Sequence, residues 1–298
     1  MPISRNTQGA LFMSLSMAGF TCNDALVKTL LPVMNVGQIM LVRGALTTIM
    51  VYAIARHLGA LTHWKRIAQP MVLFRIVFEI IAAITYLTAL RSMPLANAAA
   101  ILQAMPLAVT LGAALFLNEP VGWRRWGAII VGFIGVLIII RPDSEGFTLA
   151  SFYVVIAMLC AAGRDLVTRK ITTDVSSLMV TVVTAASIAL AGAVVMVPMG
   201  GWQPMSWSSC AILLAASVLV LVGYQFVILS MRSGEISFIA PFRYTGMLWA
   251  ILLGALVFGD LPDAWIIAGS TIVIASGLYS FYRENKRRLR PVAQEPST

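Results

Sequence analysis

Long apolar stretches separated by short polar links run along almost the whole chain. A bilayer core about 30 Å thick needs roughly 20 consecutive apolar residues per helix, and these runs are too long and too continuous for the alternating strands of a barrel. Short links predict antiparallel neighbours packed as one bundle. The predicted spanning helices cover residues 9–31, 36–56, 70–91, 94–117, 123–140, 149–168, 176–198, 208–231, 235–258 and 263–282.

Composition supports the same class. Of the 298 residues, 59% are hydrophobic and only 11% are charged, whereas about a quarter of the residues in a soluble domain are charged. The predicted fold class is therefore an all-α membrane protein with ten transmembrane helices. Residues 285–298 form a basic and then polar tail, and the part after Arg290 has little apolar content to pack, which predicts disorder there.

Charge is distributed as membrane topology requires. The formal net charge of +9 could suggest a nucleic-acid partner, but 15 of the 21 Lys and Arg residues fall on the side of the two termini in the ten-helix arrangement. Cytoplasmic loops carry such an excess, so both termini are predicted to be cytoplasmic, with no nucleic-acid partner. The basic cluster after Arg283 is interpreted as an anchor for anionic lipid headgroups.

An internal repeat organises the helices. Similar residues recur at a constant offset of 141 positions, and each unit, 1–142 and 143–284, contains five predicted spans. An odd number of spans places the second unit in the membrane with inverted topology, an arrangement typical of carriers that work by alternating access. Channels can share it, although a carrier is favoured. Matched pairs include Met17 with Met158, Asp24 with Asp165, Lys28 with Arg169, Arg91 with Arg232 and Glu119 with Asp260.

Residues for catalysis or cofactor binding do not form a recognisable pattern. The three cysteines have no ligand-like spacing, the only histidines, His57 and His63, flank one loop, and the phosphate-binding sequence GxxxxGK[ST] is missing. We therefore expect no enzyme activity, no catalytic residue, no metal and no cofactor.

Ionisable residues inside the spans are the strongest candidates for function, because an arginine at the bilayer centre costs about 3 kcal/mol. Arg75 and Glu79 lie one helical turn apart, with Tyr86 two turns beyond Glu79 on nearly the same face. Glu79 could form a local ion pair with Arg75, or could serve proton coupling or bind a substrate ammonium group. Arg43 could reach the same cavity or pair with Glu79.

Prolines interrupt the fourth helix of each unit. Pro106 and Pro241 remove backbone donors and bend the helix, so both are predicted hinges. Polar residues around them are predicted to line the cavity: Asn97 and Gln103 in one unit, and Ser237 and Tyr244 in the other.

Aromatic side chains and one amide complete the candidate pocket. Phe20, Tyr86, Tyr224 and Trp249, with Gln225, could form an apolar site with a few directing polar groups, although each could equally pack against lipid or core. Small residues predict close approach of helices at Gly127, Gly132, Gly135, Gly269 and Gly277.

The sequence resembles a known family over residues 8–283. The opening helix contributes Asn23, which is also predicted to line the cavity, together with Asp24 and Lys28, and Arg43 follows in the second helix. The second unit departs from the family pattern, with Asp260 in place of the usual Glu and Thr184 where an equivalent of Arg43 would stand. On this pattern the chain is similar to the ten-helix, two-EamA-domain members of the drug/metabolite transporter superfamily. The most specific residues are Tyr86, Leu90, Asn97, Ala98, Ala99, Ala100, Met105, Pro106, Leu117, Asn118, Glu119, Pro120, Trp126, Gly127, Gly132, Gly135, Arg141 and Pro142.

Within that superfamily, the overall pattern of these residues most resembles that of the bacterial aromatic and neutral amino acid exporters. It implies a secondary transporter in the cell inner membrane that exports a small metabolite, most simply an amino acid, as a lipid-embedded monomer. Efflux of cationic drugs or uptake of another metabolite stays open. From a different class, an intramembrane enzyme or a non-transporting receptor stays open too.

Overall fold

The part of the chain that the structure describes contains ten helical segments that are long and apolar enough to cross a bilayer. The ten-helix prediction is therefore confirmed. The structure is a computed structural model, and it describes residues 4–61, 67, 69–141, 148–171, 176–233 and 235–288, without the side chains of 236, 237, 287 and 288. Numbered span 1 to span 10, the segments are Arg5–Leu30, Val36–His57, Pro70–Leu90, Leu95–Phe116, Trp123–Ile140, Leu149–Thr168, Ser177–Met196, Trp207–Ser233, Ala240–Phe258 and Ala264–Lys286.

Local sequence fixes several helix starts. The Asn35 side chain accepts a hydrogen bond of 2.8 Å from the Gln38 N–H at the start of span 2. Asp263 does the same for the Ile266 N–H at the start of span 10, also at 2.8 Å. Each cap satisfies one of the backbone donors that a helix N-terminus leaves without a partner. Pro70 occupies the first turn of span 3, where its missing N–H is not needed.

Spans 4 and 9 are interrupted at their prolines. Span 4 consists of Leu95–Leu102 and Met105–Phe116, with a turn between them directly before Pro106. In span 9, Pro241 lies in a 3₁₀ segment, Ala240–Tyr244. Both breaks follow from the missing proline donor and the clash of its ring with the preceding turn. The role of the prolines as hinges stays a prediction.

Helices pair across the two halves of the chain. Span 1 packs on span 8, span 2 on span 7, span 3 on span 6, and span 5 on span 10. Gly37 lies against Met196 and Gly44 against Ala189, so the start of span 2 meets the end of span 7 and the two helices run antiparallel. Exchanging the first five spans with the last five leaves this set of pairs unchanged. The inverted relation of the two units stays a prediction.

Small residues bring these helices into close contact, as predicted for Gly132, Gly135, Gly269 and Gly277. A Cβ on Gly135 would lie 2.9 Å from the Gly269 carbonyl oxygen, and one on Gly269 would lie 2.7 Å from the Gly135 carbonyl oxygen. The prediction is wrong for Gly127, where a Cβ would meet nothing within 4 Å. Close packing matters here because lipid removes the hydrophobic drive that joins helices in water.

The core is concentrated at one end of the bundle. We call the end that holds residues 4 and 288 the terminal end, and the opposite end the far end. Completely buried large side chains crowd the far end, where the links between spans 1 and 2 and between spans 3 and 4 meet. At the terminal end Val51, Ala55 and Val182 form a smaller cluster. Large far-end core residues include Leu31, Ile39, Met40, Leu90 and Leu95.

Candidate substrate cavity

A cavity of about 290 Å³ lies between spans 1, 2 and 3 of the first half and spans 6, 7 and 8 of the second half. Small and aromatic side chains make up much of its wall. Four charged residues also line it: Asp24, Arg43, Arg75 and Glu79. A concave, largely apolar wall with a few directing polar groups is the usual construction of a small-molecule site.

The side chains of spans 1, 2 and 3 form a hydrogen-bonded group that we call the deep cluster: Asn23, Asp24, Arg43 and Tyr86. The Tyr86 hydroxyl donates to Asp24 Oδ2 at 2.8 Å, and Asn23 Nδ2 donates to Asp24 Oδ1 at 2.8 Å. Arg43 Nη1 donates to Asn23 Oδ1 at 3.1 Å. The amide of Asn23 therefore joins the guanidinium of Arg43 to the carboxylate of Asp24.

A second group, the shallow cluster, lies nearer the terminal end: Arg75, Glu79, Arg164, Asp165 and Thr168. Arg164 Nη1 binds Glu79 Oε2 at 2.9 Å, while its Nη2 binds Asp165 Oδ1 at 2.9 Å. Arg75 Nη1 donates to Thr168 Oγ1 at 2.5 Å. Glu79 thus pairs across to span 6 rather than with Arg75 one turn away. Arg164 is shared by two carboxylates and holds span 3 against span 6.

Helix geometry separates the two clusters. Glu79 and Tyr86 are seven residues apart on span 3, which is about 10 Å along the helix axis. Ala82 and Ala83 line the cavity between them, so small side chains leave room there. Across from them the rings of Phe20 and Tyr224 meet edge to face with centroids 5.1 Å apart. A molecule in the cavity can therefore contact charged groups at the deep end and rings beside them.

Half of the residues predicted as site residues lie in this wall. They come from spans 1, 2, 3 and 8, and the structure brings them together in one place. They are Phe20, Asn23, Arg43, Glu79, Tyr86 and Tyr224.

Other predicted site residues lie elsewhere. Gln103 Nε2 donates to the Tyr244 carbonyl oxygen at 3.4 Å, so these two residues join span 4 to span 9. The Tyr244 side chain is buried against Gly277. Gln225 is exposed, and Asn97 and Trp249 are half-buried outside the cavity wall. The side chain of Ser237 is outside the described residues.

Several residues of the site escaped prediction, and two charged ones among them, Asp24 and Arg164, take part in the two clusters. Asp24 was matched to Asp165 by the repeat but not assigned to the pocket, although an ionisable residue inside a span is a functional candidate by default. Arg164 was counted with the basic loops of the terminal side. It lies four residues before the end of span 6, Leu149–Thr168, and pairs with Glu79.

The far end closes the cavity with polar contacts as well as core. Lys28 Nζ donates to the carbonyl oxygens of Leu90, at 3.1 Å, and Met93, at 2.5 Å. Gln38 exchanges two hydrogen bonds with the backbone of Gln203, at 2.8 and 3.0 Å. These contacts tie span 1 to the link after span 3, and span 2 to the link after span 7.

Repeat-related residues at the terminal end make a weaker contact. Arg169 and Glu119, which match Lys28 and Asp260 by the offset of 141, form an ion pair at 3.3 Å. Their side chains are 53% and 47% exposed. Such exposed pairs contribute little to stability, whereas the Arg125–Glu284 pair that joins spans 5 and 10 at the same end is more buried, with side chains 12% and 34% exposed.

Ten spanning helices around a charged cavity are the architecture of a multi-pass membrane transporter, and comparison with known proteins identifies its family. The EamA-like transporter family matches residues 7–141. A riboflavin transporter from Vibrio cholerae serotype O1 is 30% identical over 225 residues, covering 73% of this chain and 73% of its own length. The chain therefore belongs to the EamA-like transporter family, as its resemblance implied.

Two further similarities cover nearly the whole chain. A pseudopaline exporter from Pseudomonas aeruginosa is 28% identical over 276 residues, which is 90% of this chain and 94% of the exporter. A crystal structure with 14% identity and a TM-score of 0.60 covers 91% of this chain and 99% of its own, and shows the fold alone. These relatives are named for riboflavin and pseudopaline, so the narrower likeness to amino acid exporters stays a prediction.

Proposed function

We propose that this protein is a secondary transporter that exports small metabolites, amino acids first among them, across the bacterial inner membrane by alternating access. The observation that carries the proposal is the charged cavity between spans 1–3 and 6–8, closed at the far end. Basic residues concentrated on the terminal side support a cytoplasmic location for both termini, because cytoplasmic loops carry such an excess. The cavity would then load from the cytoplasm.

Cavity size and lining favour a small amphoteric cargo. About 290 Å³ is close to the lower limit of ligand pockets, which span about 300–1,000 Å³. A bulky drug would overfill it. The wall offers both carboxylates and guanidinium groups, together with the rings of Phe20 and Tyr224, and this combination suits a molecule with opposite charges and an apolar side chain.

Symmetry supplies the proposed transport cycle. We infer that the two five-span units are inverted repeats, because spans 2 and 7 pack antiparallel and the pairing of spans is unchanged when the halves are exchanged. Such units can exchange conformations and so expose a midplane site to each side in turn. Because both units belong to one chain and enclose the cavity between them, the proposed functional unit is a monomer.

Glu79 is the candidate for proton coupling, and its partner suggests how. Arg164 already contacts both Glu79 and Asp165, so it can keep one carboxylate partner while the other is protonated. Transport by Glu79→Gln should then lose its dependence on pH. If Glu79→Gln keeps the full pH dependence of wild type, Glu79 has no coupling role.

Counterflow in proteoliposomes tests the proposed function. Vesicles preloaded with each unlabelled solute would be given the labelled solute outside, using the twenty common L-amino acids and riboflavin. We expect accumulation of at least one amino acid, its loss in Ala83→Trp, which fills the cavity, and its retention in Leu190→Trp, on the exposed face of span 7. Riboflavin counterflow alone would refute the amino acid assignment, and binding without any counterflow would indicate a receptor.

A further inference from the structure

We propose that the deep cluster recognises the α-ammonium and α-carboxylate groups of an amino acid, with Arg43 binding the carboxylate and Asp24 binding the ammonium. In this structure the Asn23 amide spans the two charged groups and makes the contacts that the cargo would replace. The inference deepens the proposed function by assigning the cargo's head group to named residues, and it rests on that function.

Donor and acceptor chemistry fixes how Asn23 is oriented. A guanidinium only donates hydrogen bonds and a carboxylate only accepts them. The Asn23 oxygen must therefore face Arg43, and its NH₂ group must face Asp24. The hydrogen bonds of 3.1 Å from Arg43 to the Asn23 oxygen and of 2.8 Å from the Asn23 NH₂ to Asp24 have this orientation. An α-amino acid presents the same sequence of groups, an acceptor beside a donor, with a full charge on each. Charge-assisted hydrogen bonds are roughly twice as strong as neutral ones, so a zwitterion can displace the amide.

Asp24 is better placed for this role than Glu79. Its carboxylate is held by two neutral donors, Tyr86 and Asn23, whereas Glu79 is bound directly by Arg164. An ammonium group that approaches Glu79 must compete with a cation already present. At Asp24 it replaces an amide.

Arg43 is likewise the guanidinium available beside Asp24, because Arg75, the other arginine of the cavity wall, lies in the shallow cluster and donates to Thr168. The Arg43 guanidinium donates a hydrogen bond to the neutral amide oxygen of Asn23, whereas the Arg164 guanidinium is bound to two carboxylates. Lys28 lies one turn beyond Asp24 on span 1, and its ammonium group is already bound to the carbonyl oxygens of Leu90 and Met93. Arg43 can therefore bind a substrate carboxylate without giving up an existing ion pair.

Charge balance makes the site selective for zwitterions. The deep cluster holds one cation and one anion that are joined only through an amide, so its charges sum to zero. A zwitterion keeps that sum and pairs both groups. An amine or a simple acid pairs one group and leaves the other beside an unbalanced charge away from water, which is costly. The side chain of the cargo then extends towards Phe20 and Tyr224.

Binding to the purified full-length protein in detergent tests this assignment. The melting temperature would be measured with each of the twenty common L-amino acids. The best binder would then be compared with its decarboxylated amine and its deaminated acid by titration calorimetry. We expect at least one amino acid to bind, and both analogues to bind at least about tenfold more weakly, because each leaves one charged group without a partner.

Variants assign each charge to its residue. In Asp24→Asn the amino acid should bind no better than its deaminated acid, and in Arg43→Gln no better than its amine. Glu119→Gln is the matched control, since Glu119 is an exposed carboxylate at the terminal end that lies outside the cavity wall, and it should keep wild-type discrimination. If Asp24→Asn does not fold, Asp24→Glu keeps the charge and should retain selectivity with weaker binding.

Asn23→Leu tests the displaced amide. Leucine has a similar shape and no hydrogen-bonding group, so amino acid binding should stay within about threefold of wild type or become tighter, because the cargo no longer competes with the amide. A tenfold loss in this variant would mean that Asn23 contacts the cargo and would refute its role as a placeholder.

Three results would overturn the assignment: no amino acid binds, an analogue binds as tightly as the amino acid, or Asp24→Asn and Arg43→Gln weaken all three ligands equally. Riboflavin counterflow in the same preparation would leave the transporter function intact in each case. Selective binding of an amino acid without counterflow of any solute would refute transport and leave the head-group site standing.

Discussion

The far end and the terminal end of the bundle are built from repeat-related residues and differ in how firmly they are closed. At the far end Lys28 is half-buried and donates to two backbone carbonyl oxygens. Its counterpart at the terminal end, Arg169, forms an exposed ion pair with Glu119. The same position in the repeat therefore makes two partly buried hydrogen bonds at the far end and a solvent-exposed ion pair at the terminal end.

This difference indicates where the free energy of closure lies. Buried core and charge-assisted hydrogen bonds at the far end must be broken before the cavity can open there. At the terminal end the Arg169–Glu119 pair costs little to break, because exposed ion pairs are well solvated, while the Arg125–Glu284 pair at the same end is partly buried. Substitutions that act on the two ends should therefore have unequal effects.

The largest effect is expected from Gly37→Leu at the far end. A side chain at Gly37 would overlap the backbone of Met196 and Gly192, which cannot move without separating spans 2 and 7. We expect a loss of about 3 kcal/mol in the free energy of unfolding, measured by thermal or denaturant unfolding. Gly127→Leu, in open space on span 5, is the control and should cost much less. Equal costs would contradict the close packing described at the far end.

Lys28→Met should have the next largest effect. It removes two hydrogen bonds from a charged donor, which together contribute about 2 kcal/mol to closure of the far end. A cysteine introduced at Leu31, which is 1% exposed, should then react at least about tenfold faster with a membrane-impermeant maleimide. Lys170→Met, at an exposed lysine of the terminal end, is the control. An unchanged rate would mean that Lys28 does not fasten this end.

Asp263→Ala should have a smaller effect that depends on pH. Burial tends to raise the pKa of Asp263, but the Ile266 N–H and the guanidinium of Arg141 outweigh it, so the pKa lies below its ordinary value of 3.8. A lowered pKa stabilises the fold above the ordinary value and less as pH falls towards and below it. Near pH 6 the variant should lose about 1 kcal/mol through the lost cap. Melting curves should converge with wild type as pH falls below 3.8, and a constant difference would contradict this account.

Arg169→Gln should have the smallest effect. The pair with Glu119 is exposed on both sides, so the loss should be no more than about 0.5 kcal/mol, within error in a melting curve. Counterflow should also stay close to wild type. A loss as large as that of Lys28→Met would show that the two ends are equally fastened.

Hydrophobicity predicted the helices well because the bilayer imposes a length on every apolar run. The bounds differ where polar residues continue a helix beyond the apolar part: span 1 begins at Arg5 rather than at residue 9, and the last helix continues to Arg288. Backbone hydrogen bonding extends such ends into the headgroup region, where hydropathy gives no signal.

The cavity was harder to predict because it depends on which face of each helix meets which neighbour. Glu79 and Arg43 were found as ionisable residues inside spans. Gln103 and Tyr244 were assigned to the pocket because they flank prolines, yet they join span 4 to span 9. A proline shows where a helix breaks, but not whether the break faces a cavity or another helix. The partner of Glu79, Arg164, comes from a helix 85 residues away, and no local pattern indicates that pairing.

The contact between Gln103 and Tyr244 has a consequence for measuring motion. These two residues occupy the same position in the two halves of the chain, 141 positions apart, and they touch each other. A residue that meets its own counterpart lies on the axis relating the halves, and a rotation that exchanges them leaves such a point where it is. In the proposed transport cycle, the two halves would therefore rotate about this contact while it stays in place. A spectroscopic probe attached there would serve as a fixed origin, against which the opening of either end could be read as a change in distance.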